Sequence, residues 1–250
     1  MLKIRYMKTT GNTILITGGS SGIGLGFAEE FLRLGNKIII CARWGDRLNK
    51  VKAQHPEMII RKCDVSVEKE REELFSWIKA NHPETNVLIN NAGVQLGTDI
   101  SQPLDMKRVN AEIDTNIVAP LHLSSLFIPL LKTKNESAII NITSGLAFAP
   151  LAFMGIYCAT KAAMHSLTMS LRHKLKNTSI KVFEIAPPAV DTNLGHDRRD
   201  DKTQSHGGIP VAEFLKEAMA GISGDVYETC VGQAKGLRMK REEVFDMMNK

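Results

Sequence analysis

Tyr157 and Lys161 stand one helical turn apart in Tyr-Cys-Ala-Thr-Lys, and Ser144 lies upstream of them. A phenol donates a proton as a general acid and removes one when ionised, but its free pKa of about 10 is too high for a base near neutrality. A lysine at i+4 shares the helical face, and its cation favours the tyrosinate. A serine hydroxyl can hold a substrate oxygen against the phenol and meet the negative charge that grows there. These three residue types suit the proton that accompanies hydride transfer between a nicotinamide and a carbonyl or alcohol. Alone, a Tyr or Ser is usually structural and a Tyr–Lys pair is usually a solvated helix face. The set gains its meaning from a glycine-rich turn near the start of the chain.

That turn reads Thr17-Gly18-Gly19-Ser20-Ser21-Gly22-Ile23-Gly24. Gly18, Gly22 and Gly24 have the spacing G-x3-G-x-G between a strand-like run and a helix-like run. Glycine lets the chain bend sharply and lets its amides approach a pyrophosphate without side-chain interference. This strand–turn–helix context makes dinucleotide binding the reading. The end of the second strand chooses the cofactor. An NAD enzyme places an acid about 20 residues past the turn; here that place holds Ala42 followed by Arg43. An arginine can grip a 2′-phosphate with paired, charge-assisted hydrogen bonds, and Ser20 or Ser21 can add a hydroxyl. NADP(H) is therefore favoured, with NAD(H) as the alternative if Arg43 is only a solvated strand-end residue. Asp46 could serve as the acid but is better placed to cap the next helix. Asp64 and Val65 follow the third strand, where a carboxylate could accept the adenine amino group and Val65 touch the ring; the bland reading of Asp64 is a helix-approach residue.

The elements that must position these groups alternate. Strands are expected at 13–17, 37–41, 58–62, 86–89, 137–142 and 180–185, and helices at 22–34, 46–54, 67–81, 109–132 and 157–176. Pro120 and Pro129 should disturb the 109–132 helix. The βαβα order argues for one α/β domain, a doubly wound Rossmann-type parallel sheet covered by helices on both faces. After Pro187 the order breaks down. Residues 191–220 read as a substrate loop or lid that includes a helix from Val211 to Met219. A last strand near 226–231 and a terminal helix at 241–248 complete the expectation, and residues 1–6 read as a loose extension.

The chain has 250 residues, 43% hydrophobic and 24% charged, with a formal net charge of +5. That is ordinary globular composition. The basic excess is scattered among acids, so a nucleic-acid partner is not expected, and attraction of an anionic dinucleotide uses the charge better. The four cysteines lack metal-ligand spacing; Cys41 and Cys63 lie in apolar runs and read as small core residues. No metal site, disulfide framework, signal peptide or transmembrane helix is expected, which reads as a cytoplasmic protein.

The glycine turn, Asn90-Asn91-Ala92-Gly93, Ser144 and Tyr157-x3-Lys161 together resemble the short-chain dehydrogenases/reductases, in the right order from about residue 11 to residue 192. The stretches TSGLAF, YCATKAA and PPAVDT also resemble a subgroup encoded beside the D-alanyl-lipoteichoic acid genes of Gram-positive bacteria. The family resemblance implies a sheet of order 3-2-1-4-5-6-7. It implies that Asn91, Ala92 and Gly93 support the central sheet and line the adenosine-ribose side. It further implies that Asn116 is a fourth catalytic position, holding a water that links Lys161 to solvent. Val190 and Thr192 would lie against the nicotinamide and its carboxamide. Where the family usually has Pro-Gly, this chain has Pro187-Pro188, so the backbone contacts inferred there lack the N–H that a glycine would offer at position 188. The family also implies a homodimer or homotetramer built on the two long helices.

Leu146, Phe148, Phe153, Met154 and Leu194 either form an apolar substrate wall or belong to the core or an interface. As a wall they would favour a largely uncharged ketone, aldehyde or secondary alcohol. Cys158 reads as packing, and His165 and His173 as helix-surface or interface residues. Against the oxidoreductase reading stands a dinucleotide-binding sensor or scaffold, which would have no need of an intact Ser144, Tyr157 and Lys161.

Overall fold

The computed structural model describes residues 7–195 and 207–250. The expected extension at 1–6 and the middle of the expected lid lie outside the described residues. Seven strands form one parallel sheet: β1 (Thr13–Thr17), β2 (Lys37–Ala42), β3 (Ile59–Lys62), β4 (Val87–Asn90), β5 (Ser137–Ile142), β6 (Ile180–Ala186) and β7 (Glu228–Cys230), in the order β3-β2-β1-β4-β5-β6-β7. Every pairing is parallel. Strict alternation along these strands makes two cores. Ile14, Ile16, Ile38 and Ile40 face a layer with Phe27, Phe31 and Phe214. Leu15, Ile39, Leu88 and Ile139 face the opposite layer with Leu123, Phe127 and Leu131. Both faces are apolar because helices cover both, as expected.

The helices are α1 (Gly22–Arg33), α2 (Gly45–Gln54), α3 (Glu68–Asn81), α4 (Met106–Ile113), α5 (Ala119–Lys132), α6 (Gly155–Leu175), α7 (Val211–Ser223), α8 (Ala234–Lys240) and α9 (Phe245–Met248). The first helix stops where expected: Leu34 is its C-cap, and Gly35 takes a φ of +79°. Asp46 does not cap α2. Trp44 is the N-cap, and Asp46 sits inside the first turn, where its charge meets the positive end of the helix.

The long helix begins earlier than expected because Asp105 caps it, accepting from Lys107 N at 3.0 Å. It then widens into a π-helical stretch, Asp114–Val118, before continuing as α5. Pro120 accounts for the widening. It has no N–H to offer the carbonyl of Asn116, and its ring would clash with that carbonyl in a regular α-helix. The continuous segment Met106–Lys132 is long enough, with an 18-residue stretch of mean hydropathy 1.2, to match a membrane span, which the sequence reading did not foresee. Its apolar stripe is spent on the sheet instead: Leu123, Phe127 and Leu131 are buried, and Phe127 meets Phe75 edge-on at 5.0 Å.

The C-terminal region departs most from expectation. The 241–248 helix divides into a 3-10 turn (Arg241–Val244) and the single turn α9, while α8 forms unforeseen just before them. Local signal for α8 is weak, with Gly236 in its middle. Its order comes from packing on Gly145, where an added Cβ would stand 2.9 Å from that of Ala234.

Phe127→Ala should cost about 3–5 kcal/mol in urea denaturation. A loss below about 1 kcal/mol would mean that α5 does not bury its stripe against the sheet.

Candidate active site

The glycine turn joins β1 to α1 at the point where the sheet order reverses, between β1 and β4. Gly18 and Gly22 take positive φ values of 66° and 54°. A Cβ on Gly24 would stand 2.4 Å from Asn91 Nδ2 and 2.5 Å from Gly18 O, so only glycine allows helix and turn to meet there. Asn91 is the clamp. Its Nδ2 donates to Thr17 O at 2.9 Å, while the amides of Asn91 and Ala92 both donate to Thr17 Oγ1 at 3.0 Å. The sequence reading did not single out Gly19, yet a Cβ there would come within 2.6 Å of Ile40 Cγ2. Ser20, Ser21 and Ile23 are half-buried around the turn.

Two clefts flank this turn. One, of about 470 Å³, is lined by Arg43, Trp44, Lys62, Asp64 and Glu70 among others. The Arg43 guanidinium lies 4.8 Å from the centroid of the Trp44 ring, which holds an exposed arginine at the strand end. Asp64 Oδ1 accepts from Ser66 N and Oγ at 3.0 and 2.7 Å, and Asp64 N donates to Glu70 Oε2 at 2.7 Å. Asp64 thus organises the approach to α3 as well as bordering the cleft, and Val65 is buried beside it. The other cleft, of about 340 Å³, is lined by residues that include Gly22, Gly26, Asp191, Thr192 and Val211. Val190 is buried and bridges to Ile209, with Asp191 N donating to Ile209 O at 2.9 Å. A dinucleotide fits this surface: a backbone cradle that side chains would fill, the open end of α1 with no acid in its first turn, and cationic Arg43 and Lys62 at one side.

The candidate catalytic groups converge beyond the ends of β4 and β5. Ser144 follows β5 and accepts from Leu146 N at 3.1 Å, capping the short 3-10 turn Gly145–Ala147. Tyr157 and Lys161 lie buried on one face of α6. Lys161 Nζ donates to Ile142 O at 3.0 Å and stands 5.7 Å from the Tyr157 ring centroid. Asn116, in the π-helical stretch, accepts from Val94 N and donates to Val94 O, both at 2.9 Å, and reaches Thr160 Oγ1 at 3.1 Å. An added Cβ on Gly93 would lie 3.4 Å from Asn116 Oδ1 and 3.6 Å from Lys161 Nζ. Asn116, Gly93 and Lys161 therefore share one small space. Pro187 O accepts from Gly145 N at 2.8 Å, so this proline works through its carbonyl.

Burial lowers the Lys161 pKa to about 8, and the negative charge of Glu112 opposes that shift. Glu112 is 1% exposed and accepts from Leu96 N at 3.4 Å. Sequence reasoning missed it, because a lone Glu within Asn-Ala-Glu-Ile reads as a solvent face; its spacing of four from Asn116 is the only available signal. His165 is corrected too. It is not a surface residue but a partner of the fully buried Glu184.

The five apolar candidates do not form one wall. Phe148 is a core residue, edge-on to His165 at 4.9 Å and covered by Arg238 at 5.1 Å. Phe153 is 65% exposed and Leu194 39%, so neither is core. Leu146 and Met154 are half-buried, and the Met154 sulfur meets Gln95 Nε2. Cys158 packs as expected, its sulfur accepting from Leu151 N at 3.4 Å.

Comparison with known proteins agrees with this geometry. Residues 12–203 match the family model described as short chain dehydrogenase. The chain is 44% identical over 248 residues to the uncharacterized oxidoreductase DltE of Bacillus subtilis, covering 97% of this chain and 98% of that one. It is 28% identical over 218 residues to the NADP-dependent 3-hydroxy acid dehydrogenase YdfG of Escherichia coli, covering 84% and 88%. Among solved structures, a short-chain dehydrogenase from Sphingobium yanoikuyae in complex with NADPH superposes with a TM-score of 0.78 at 28% identity, covering 88% of this chain and 87% of that one. A glycine cradle at the sheet's reversal point, a buried Tyr–Lys pair and this family match lead to one assignment: the chain belongs to the short-chain dehydrogenases and is an oxidoreductase.

Proposed function

We propose that this oxidoreductase uses NADP(H) to reduce a ketone or aldehyde, or to oxidise the matching alcohol, with Tyr157 as general acid and base. The observation that carries the reading is the buried α6 face, on which Lys161 bonds the Ile142 carbonyl two residues before Ser144 while lying beside the Tyr157 ring. When bound, the cofactor supplies or accepts a hydride at its nicotinamide. Gly18, Gly22 and Gly24, with Ser20, Ser21 and Ile23, would hold the pyrophosphate, and Arg43 the 2′-phosphate. Asp64 and Val65 would border the adenine, and Asn91, Ala92 and Gly93 the adenosine ribose. Pro187, Val190 and Thr192 would border the nicotinamide. The NADP dependence named for the Escherichia coli relative and the NADPH held by the Sphingobium structure support the choice of NADP(H).

Ser144 orients the substrate oxygen, and Tyr157 donates its proton to that oxygen as charge grows there. Lys161 favours tyrosinate in the reverse direction and would hold the ribose of the bound cofactor. Asn116 holds the Lys161 end of the relay toward solvent. We read 191–220 as the lid of a single domain, since its described ends are pinned by the Val190–Ile209 bridge and by α7. Exposed Val118 and Leu121 on the long helix and Met169 on α6 suit packing against a second copy.

The direct test is fluorescence titration with NADPH and NADH, followed by a panel of aliphatic and aryl ketones, aldehydes and keto esters. Tyr157→Phe should lower kcat about 10²–10⁴-fold while leaving NADPH affinity largely unchanged; substantial retained turnover would remove the acid/base role. Arg43→Asp should weaken NADPH binding about tenfold or more with little effect on NADH. Equal losses would remove Arg43 from the choice between NADP(H) and NAD(H). Lys161 makes a stability prediction as well. Its native pKa lies below its unfolded value, so holding it charged near pH 7 destabilises the fold, by about 1–3 kcal/mol. Lys161→Met should therefore abolish turnover yet raise apo stability at pH 7, and the gap should narrow as pH rises from 8 toward 10. A gap that is absent at pH 7, or that widens with pH, would contradict the burial argument.

A further inference from the structure

Tyr157, Lys161 and His165 recur every four residues and so run along one face of α6. The third of them has a buried partner that the mechanism above does not use. His165 Nδ1 lies 2.9 and 3.0 Å from the two carboxylate oxygens of Glu184. Glu184 Oε1 also accepts from Thr143 Oγ1 at 2.8 Å, and its side chain is 0% exposed. Thr143 stands between Ile142, whose carbonyl holds Lys161, and Ser144. Two tethers one helical turn apart thus join α6 to consecutive residues at the end of β5. A buried carboxylate is costly without partners, and the surroundings are built to keep this one. Glu228 approaches from β7, with its charge met by Arg238 of α8 at 2.6 Å, and the same Arg238 covers Phe148, whose ring meets His165. His165, Glu184 and Glu228 bring potential ligand atoms within 4.8 Å of one another. The guanidinium of Arg238 already supplies the cation there, which argues against a metal.

We propose that His165, Glu184 and Thr143 form a positioning network that fixes the Tyr157–Lys161 face of α6 against the end of β5, and so sets Ser144 in register with Tyr157. This rests on the roles given above to Ser144, Tyr157 and Lys161. None of the three network residues touches the reacting atoms; they act through the backbone of Thr143 and through α6.

Thr143→Val removes one hydroxyl at constant shape, and His165→Phe keeps a ring against Phe148 but loses the Glu184 contact. Each should lower kcat about 10–100-fold, measured with the panel carbonyl that the native enzyme reduces fastest, while NADPH affinity stays near native; the thermal midpoint should fall as well, because the buried Glu184 carboxylate loses a partner. The double variant should cost little more than either single one, because the network acts as a unit. Glu184→Gln still accepts from Thr143 and can donate to an imidazole that has moved its proton to Nε2, so it should retain most of kcat. Native kcat in both Thr143→Val and His165→Phe, or losses confined to melting temperature or NADPH affinity, would overturn the network. If Thr143→Val fails to fold, His165→Phe decides. Tyr157→Phe in the same assay separates the two levels. If it is as active as the native enzyme, or if the native enzyme reduces nothing in the panel, the site reading fails and the network falls with it. If Tyr157→Phe is inactive while both network variants turn over normally, only the network is overturned.

Discussion

A lysine ammonium buried at the edge of a parallel sheet is the constraint on which the site depends. Lys161 is 5% exposed, and burial, only partly opposed by the charge of Glu112, brings its pKa down to about 8. To keep the charge, the fold gives it the Ile142 carbonyl and the nearby negative charge of Glu112. Each of these is itself positioned at some cost. The Ile142 carbonyl lies at the end of β5, Glu112 is a carboxylate removed from water, and Asn116 shares the adjoining space from the π-helical stretch ahead of Pro120. The arrangement trades stability for a cation next to a phenol, as sites that need a shifted pKa generally do.

The second constraint is the close approach between the glycine turn and Asn91. β1 and β4 are neighbours where the sheet order reverses, and loops leaving their ends diverge to open a crevice. Thr17 and Asn91 tie those two loops together through side-chain hydrogen bonds. One asparagine thereby fixes the glycine turn and starts the segment, Ala92 to Leu96, that runs past Lys161, Asn116 and Glu112. The glycine turn and the Tyr157–Lys161 face are in this way tied together at the C-terminal ends of β1, β4 and β5.

Much of this was legible in the sequence. The apolar runs 13–17 and 137–142 appear as strands with the expected boundaries, and the seven strands take the order that the family resemblance implied. Elements formed by long-range packing were harder to see. α8 carries a glycine and little local signal, and it is ordered by contact with Gly145. Phe148 was open in the sequence between a substrate wall and the core or an interface, and the 3-10 turn after Ser144 leads it into the core against His165 and Arg238. Asp46 looked like a cap, but α2 starts early enough to take it into the first turn.

By itself, the sequence determined the fold class, the glycine turn between β1 and α1 and the Tyr–Lys face. Each is written in local spacing: alternation in strands, glycine at positions where the chain must turn, and i, i+4 recurrence along one helix. Only the tertiary structure decided which buried charges surround that face. Glu112, Glu184 and His165 look like ordinary polar residues of a helix or strand until parallel pairing brings 142–144 beside 184–185 and α6 crosses them. A buried charge is defined by what surrounds it, and those surroundings come from segments that are far apart along the chain.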